Sequence, residues 1–233
     1  MKKSKKTCDL NSCFFCTGCL KEWLPAVSVN RKSFQVKKGE VIFNEGEPVT
    51  GIYFVYEGTV KVHKKWGSEK ELIVRFAKKG DIIGHRGLGG HAVFPVSGTA
   101  VENCEICFID IEFFEASLKV NPEFLYKLMM FFADELQVSE RKMRNLAHMS
   151  VKGRVAQALI SLEQKFGITK EGFINIVLSR QDLSSYAGTT YETVFRILND
   201  MVKDQVIKLT GKSISIINAR QLLAFTNETE TIT

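Results

Sequence analysis

The sequence predicts an α+β chain: an antiparallel β-sandwich or roll, then one long helix, then a winged helix–turn–helix. Three patterns predict it. Short apolar runs punctuated by turn glycines fill residues 33–111, a seven-residue apolar repeat runs through residues 125–146, and two short amphipathic segments meet at Gly188. The 233 residues suffice for two cores. A composition of 45% hydrophobic and 25% charged residues is that of a globular protein. No apolar run approaches the ~20 residues of a membrane span.

Residues 1–24 form a cysteine-rich segment. It holds four of the six cysteines, with four, two and two residues between Cys8, Cys13, Cys16 and Cys19, while Cys104 and Cys107 lie far along the chain. The Lys-rich start leads into Cys8 and Asp9 rather than an apolar stretch, so no secretory signal is expected and a cytoplasmic address follows. Thiols there stay reduced, and clustered cysteines signal metal or redox chemistry rather than structural disulfides. Two-residue spacers let a short loop offer thiolates to several irons of one cubane, with a fourth cysteine supplied from elsewhere. Structural zinc, a dithiol switch and vestigial cysteines, with a small molecule sensed in the roll, remain alternatives.

Residues 25–120 read as the roll. Its apolar runs are 41–43, 52–55, 59–62, 72–76, 82–83, 98–101 and 106–109, separated by glycine-containing turns, as in an antiparallel sandwich or roll. At Asn121 and Pro122 the pattern changes to a helix start with proline at the first position. Within residues 121–147, Leu125, Met129, Phe132, Leu136, Ser139, Met143 and Leu146 alternate steps of four and three. That 3.5-residue repeat is the seam of a two-fold homodimer. Leu128, Met130 and Phe131 mark a second flank, expected to be buried against the chain's own roll.

Residues 148–233 carry the two short helices. Leu183, Tyr186 and Ala187 make the inner stripe of the first; Val194, Ile197, Leu198 and Met201 make that of the second. Tyr191, Glu192, Phe195 and Arg196 are left facing outward. Start signals are Ser179, three residues before Asp182, and Thr189, three before Glu192. Residues 206–217 read as a hairpin wing that brings Lys208 and Lys212 beside phosphate. This shape puts its second helix into a major groove, so double-stranded DNA is the expected partner. The bland alternative is a helix pair touching only protein, with Glu192 and Arg196 as a surface ion pair. Net charge does not decide between them. Residues 1–40 carry nine Lys/Arg against three Asp/Glu, which accounts for the whole +6, while residues 148–233 carry ten against eight. No Ser/His/Asp constellation, paired carboxylates or phosphate-cradling glycine loop suggests an enzyme.

Several motifs follow this order of parts: Lys38-Gly-Glu-Val-Ile-Phe-Asn-Glu-Gly-Glu47, Ile52-Tyr-Phe-Val-Tyr-Glu-Gly58, Gly80-Asp-Ile-Ile-Gly84 and Leu136-Gln-Val-Ser139. Asn145-Leu-Ala147, Gly153-Arg-Val-Ala-Gln157 and Glu192-Thr-Val-Phe-Arg196 continue them. Together they resemble the CRP/FNR family of transcription regulators over roughly residues 33–220. The resemblance implies a cyclic-nucleotide-binding-like roll, a homodimer on a palindromic operator, and RNA polymerase as a further partner. Nucleotide binders of the family place Gly-Glu for the ribose and Arg-Ser for the phosphate. Here those places hold Gly84-His85 and Pro95-Val96, and Glu140 stands beside Ser139. A half-buried phosphate needs a cation or convergent donors, so cyclic AMP is not the expected effector. His85 and His91 fall near the family's effector pocket and are read as satisfied loop residues, with haem ligation as the alternative.

FNR-like members carry an N-terminal cysteine group plus one cysteine on the last roll strand. The resemblance places Cys107 there and implies a [4Fe–4S] cluster on Cys13, Cys16, Cys19 and Cys107, with Cys8 as a spare or substitute. The chain departs from the family in having two residues, not five, between the last two N-terminal cysteines. On DNA the resemblance assigns Arg196 to guanine and Glu192 to cytosine. Phe195 replaces a small residue and meets a thymine methyl, and Tyr191 stands where one prototype has an arginine. Thr190, Ser179 and Lys212 are assigned to phosphate.

Overall fold

The computed structural model describes residues 1–4, 9–67 and 70–226, so Cys8 lies outside the described residues. The chain divides into two compact units, Met1–Gln137 and Val138–Thr233.

Among the described residues of the first unit there are nine strands, most of them rich in β-branched and aromatic residues. They are β1 (Lys2–Lys3), β2 (Arg31–Val36), β3 (Val41–Phe43), β4 (Gly51–Glu57), β5 (Val60–Trp66), β6 (Lys70–Ala77), β7 (Ile82–Ile83), β8 (Ser97–Ala100) and β9 (Cys104–Asp110). One sheet runs β1-β2-β9-β4-β7 and the other β3-β8-β5-β6, with every pairing antiparallel. The predicted roll is present, with β2 an additional strand paired with residues 104–109 of β9. Gly58 turns β4 into β5 at φ +89°, where a Cβ would come within 2.7 Å of Asn103 O and Cys104 Sγ.

Alternation divides the larger sheet between two cores. Tyr53, Val55, Ile106 and Phe108 point toward the second sheet and pack with Phe43, Val60 and Val62. Ile52, Phe54, Cys107 and Ile109 point the other way, under a helical layer. That layer consists of α1 (Phe14–Gly18), a 3-10 turn at Lys21–Trp23, α2 (Leu24–Asn30), α3 (Ile111–Val120) and the start of α4 (Pro122–His148). Sequence patterning did not anticipate α1, α2 or α3. Five residues in α1 are too few to show a period, and α3 begins directly where β9 ends, its apolar residues continuing the strand's apolar run. Asp110 marks the change by accepting from Glu112 N–H at 3.1 Å. Phe15, Phe54, Phe114 and Phe124 fill the second core, each completely buried, with Phe15 centred 5.2–5.7 Å from the other three rings.

Helix α4 starts at Pro122 as expected. Its inner flank is Phe124, Leu128 and the partly buried Phe131. Met130, expected on that flank, is instead 42% exposed. The stripe steps 124, 128, 131, which leaves residue 130 a full side-chain rotation away. Of the seven seam residues, Leu125, Met129, Leu136, Met143 and Leu146 are exposed, and Phe132 and Ser139 half-buried.

The second unit contains α5 (Val151–Phe166), α6 (Arg180–Ala187), α7 (Tyr191–Lys203), the hairpin β10 (Ile207–Thr210) and β11 (Ser213–Ile216), and α8 (Ala219–Ala224). Its core takes Val155, Leu159 and Leu162 from α5, Leu183 and Ala187 from α6, and Val194, Leu198 and Met201 from α7.

Phe124→Ala should cost about 3–5 kcal/mol in urea unfolding followed by Trp23 fluorescence, since Phe124 is completely buried among three rings. A loss below about 1 kcal/mol would show that α4 is not held to the roll by this ring.

Candidate nucleic-acid interface and cysteine compartment

The helix pair is built from its caps outward. Ser179 Oγ accepts from Asp182 N–H at 2.9 Å, the expected start of α6. Gly188 ends that helix in the left-handed region (φ 64°, ψ 48°) and returns its N–H to Ser184 O. Thr189 was the expected cap of α7, but its N–H is used on the same Ser184 carbonyl, at 3.0 Å. Thr190 is the residue that caps α7, its Oγ1 accepting from Thr193 N–H at 3.3 Å. The hydroxyls of Ser179 and Thr190 are thus engaged as helix caps.

On α7, Val194, Ile197, Leu198 and Met201 are at most 7% exposed, while Tyr191 and Phe195 are 45% and 52% exposed. Glu192 and Arg196 are also exposed. Among the described residues they form no ion pair with each other, contrary to the bland alternative. Two arginines to which the sequence reading gave no role hold the frame. Arg154 on α5 donates to Ala187 O at 3.1 Å and Gly188 O at 3.2 Å, taking up the carbonyls that the turn leaves open. Arg180 donates to Gly211 O at 3.1 Å and Lys212 O at 3.4 Å, tying the wing to α6. The side chains of Lys208 and Lys212 remain exposed.

The N-terminal segment is sewn to the first unit. Cys13 caps α1, its Sγ accepting from Cys16 N–H at 3.4 Å. Phe14 N–H donates to Gly80 O at 2.9 Å, Leu20 N–H to Asn121 Oδ1 at 2.7 Å, and Trp23 Nε1 to Ser117 Oγ at 2.9 Å. Phe14 also packs on Phe124 and Phe131 of α4, with centroids 5.9 and 5.1 Å away. Cys13, Cys16, Cys19 and Cys107 all belong to the second core, the first two and Cys107 buried and Cys19 half-buried. Cys104 belongs to the other core and donates its thiol to Thr59 O at 3.3 Å. Burial, with the Cys13 sulfur adding to it, pushes the Cys19 thiol up to about 12; burial likewise raises Cys104 to about 11. These two thiols are neutral at physiological pH. No three His, Cys, Asp or Glu side chains among the described residues converge as a metal site, so the four sulfurs share a compartment without meeting at one point.

In the roll, His85 differs from the expected satisfied loop residue. It is 2% exposed, lies 5.1 and 5.4 Å from the rings of Phe131 and Phe132, and neither ring nitrogen makes a hydrogen bond. Its Nε2 stands 3.8 Å from the carboxylate of Glu135 on α4. That carboxylate is held by Arg86 at 2.7 Å and Arg75 at 3.1 Å. His91 is exposed; Pro95 is half-buried and Val96 buried, and neither side chain offers a hydrogen-bond donor. Burial opposes ionisation of Glu135, but His85 and the two guanidinium groups outweigh it and hold the carboxyl well below its usual range. Burial lowers the His85 pKa, and Arg75 and Arg86 add to this while Glu135 opposes it.

Residues 33–121 match the family described as "Cyclic nucleotide-binding domain", and residues 153–225 the "Crp-like helix-turn-helix domain". The chain is 32% identical over 181 residues to the cAMP-activated global transcriptional regulator CRP of Salmonella typhimurium, covering 77% of this chain and 86% of that protein. It is 26% identical over 192 residues to the transcriptional activator protein anr of Pseudomonas aeruginosa, covering 81% and 78%. The structure of FixK2 from Bradyrhizobium japonicum has the same fold, with a TM-score of 0.77 at 24% identity, covering 86% of this chain and 99% of that one. No helix among the described residues is long and apolar enough to cross a membrane.

The lowered His85 pKa has a sign in stability. An unfolded histidine takes its proton near pH ~6.5, before the buried one does, so stability is lost as pH falls below that value. Glu135 keeps its contribution down to about pH 4 and loses it only below. Urea midpoints of the wild type should therefore drop between about pH 6.5 and 5, and those of His85→Phe should drop less. A wild type as flat as the variant over that interval would contradict the burial of a neutral imidazole.

Proposed function

Because the chain belongs to the CRP/FNR family of DNA-binding transcription regulators, we propose that it is a redox regulator. In this reading it works in the cytoplasm as a homodimer, reads a palindromic operator with α7, and senses oxygen or nitric oxide through a [4Fe–4S] cluster at its N-terminal cysteines. The observation that carries the sensing role is the compartment: Cys13, Cys16 and Cys19 lie with Cys107, and not with Cys104, against the face of the roll that supports α4. Four thiols with a fourth member from a distant strand are the donor set of such a cluster.

When bound, the cluster would supply a link among the four thiolates that oxygen or nitric oxide breaks. The chain's own residues would carry the consequence. Phe14 and Phe15 pack on Phe124 at the head of α4, so the hold on the 13–19 segment sets the support under that helix. The exposed residues Leu125, Met129, Leu136, Met143 and Leu146, with Phe132 and Ser139, would meet their copies in the dimer. A change of about 1–3 kcal/mol at the seam would shift operator occupancy roughly 5- to 150-fold. RNA polymerase would be the next partner.

Cyclic AMP is not proposed as the effector, although the relative from Salmonella typhimurium is described as cAMP-activated. Arg75 and Arg86 already neutralise Glu135, and Pro95 and Val96 offer no donor to a phosphate. On DNA, Arg196 forks onto guanine and Glu192 accepts from cytosine, with Lys212 at the backbone. Ser179 and Thr190 would serve the phosphates through the helix starts that they cap.

Oxygen-free purification tests the sensor. The wild type should be brown, with about four irons and four sulfides per chain; Cys107→Ser should lose them and Cys104→Ser keep them. Zinc in place of iron, or a colourless metal-free protein, would sink the cluster. Arg196→Ala should weaken operator binding by about 1–3 kcal/mol and relax one base position. Unchanged binding would remove α7 from the groove.

A further inference from the structure

We infer that Lys142 is a positioning residue for operator recognition: its ammonium, seated over the ring of Tyr186, fixes the angle between α4 and α6 and so sets the half-site spacing that the regulator accepts. This rests on the reading of a homodimer with α7 in the groove.

The last stretch of α4 belongs to the second unit, which begins at Val138. Ser139, Met143 and Leu146 of the seam therefore share one compact unit with α6 and α7. Once the seam is formed, contacts inside this unit decide where each copy of α7 stands. Two of them grip the same end of α6. Just past α4, Met149 O accepts from the Arg154 guanidinium at 2.9 Å, while that group also holds Ala187 O and Gly188 O. Seven residues earlier, about 10 Å back along the chain's helical path, Lys142 Nζ stands 4.4 Å from the centroid of the Tyr186 ring. A single grip would let α6 swing about it. Two separated grips fix a direction.

The ring is itself anchored. Tyr186 is half-buried on α6, and its hydroxyl bonds to Ser161 of α5, whose Oγ also accepts from Gln157 Nε2 at 3.3 Å. Lys142 is half-buried as well, so solvent screens its attraction to the ring less than it would at a fully exposed site. The core of the unit is already supplied by Val155, Leu159, Leu183, Val194 and Leu198, all at most 1% exposed, so the contact adds direction more than stability. Helix α7 follows α6, because the N–H groups of Gly188 and Thr189 both end on Ser184 O. In a two-fold dimer any error in the angle appears on both sides of the axis. A spacer longer by one base pair displaces a half-site by about 3.4 Å and roughly a tenth of a turn. A fixed angle rejects that change, and a loosened one tolerates it.

The test uses the full-length chain, purified without oxygen. Duplexes with a randomised central region are enriched by binding, and the spacer of the winning palindrome is then lengthened or shortened by one base pair. The ratio of gel-shift Kd values between altered and original spacers, at one salt concentration, measures how firmly the angle is held. Lys142→Ala should lower that ratio toward one, roughly two- to fivefold, the worth of a cation–π contact. Its affinity for a duplex with a single half-site should stay that of the wild type. Lys142→Arg should keep the wild-type ratio, because a guanidinium also stacks on a ring. From the other side of the contact, Tyr186→Phe should keep the ratio and Tyr186→Leu should lower it; this pair decides the matter if Lys142→Ala does not fold. An unchanged ratio in Lys142→Ala or Tyr186→Leu would overturn the inference while leaving α7 in the groove. So would an equal loss on every duplex, the single half-site included, which is the mark of a merely structural role. Enrichment of no palindromic sequence would instead overturn the reading of a dimer with α7 in the groove.

Discussion

Strand β9 lies between β2 and β4 in the larger sheet, with the second sheet against one face and the helical layer against the other, so successive side chains go to different cores. Cys104, Ile106 and Phe108 go to the core between the sheets; Cys107 and Ile109 go to the core under the helices. The two cysteines are three residues apart, an odd number, and so cannot share a face. A slip of one residue in the pairing of Cys107 with Ser33 and Phe54 would reverse both assignments and would expel Phe54 or Ile106 from its core. The register is therefore held by the burial of large apolar groups, and the choice of thiol follows from it.

Two unlike contacts join α4 to the roll. One is apolar: Phe124 and Leu128 sink among Phe15, Phe54 and Phe114, and the N-terminal segment closes over them. The other is ionic, with Glu135 drawn in by Arg75 and Arg86 beside the unsatisfied imidazole of His85. Burying these charges carries a desolvation cost that their pairing offsets, so the network contributes more to position than to net stability. It also leaves the guanidinium groups already matched by a carboxylate that is part of the chain. The roll–helix link is thus supplied by the chain's own charged side chains.

In the second unit the same principle of satisfying open backbone groups sets the frame for DNA. The turn at Gly188 leaves carbonyls that no helix uses, and Arg154 takes them from α5. Arg180 does the same for the tip of the wing. Both guanidinium groups spend their donors on the protein itself. Arg196, Lys208 and Lys212 remain exposed on α7 and the wing, while this part of the chain carries only a small charge excess.

Local periodicity was enough to read most strands of the roll, the inner stripes of α6 and α7, the outward group at Tyr191, Glu192, Phe195 and Arg196, and Ser179 as a cap. These features depend on spacing within one element, which the order of residues contains outright. The misreadings lie where a residue's partner is remote. Thr190 caps α7 while Thr189 closes the end of α6 through its N–H, Met130 missed the buried flank by one side-chain rotation, and His85 was enclosed by a helix that begins well after it. Sequence alone determined which groups were available: cysteines in a tight rhythm, charged and aromatic residues on one helical face. Tertiary structure decided which of them meet, because sheet register and helix packing set those meetings, and both are fixed by burial across long chain separations.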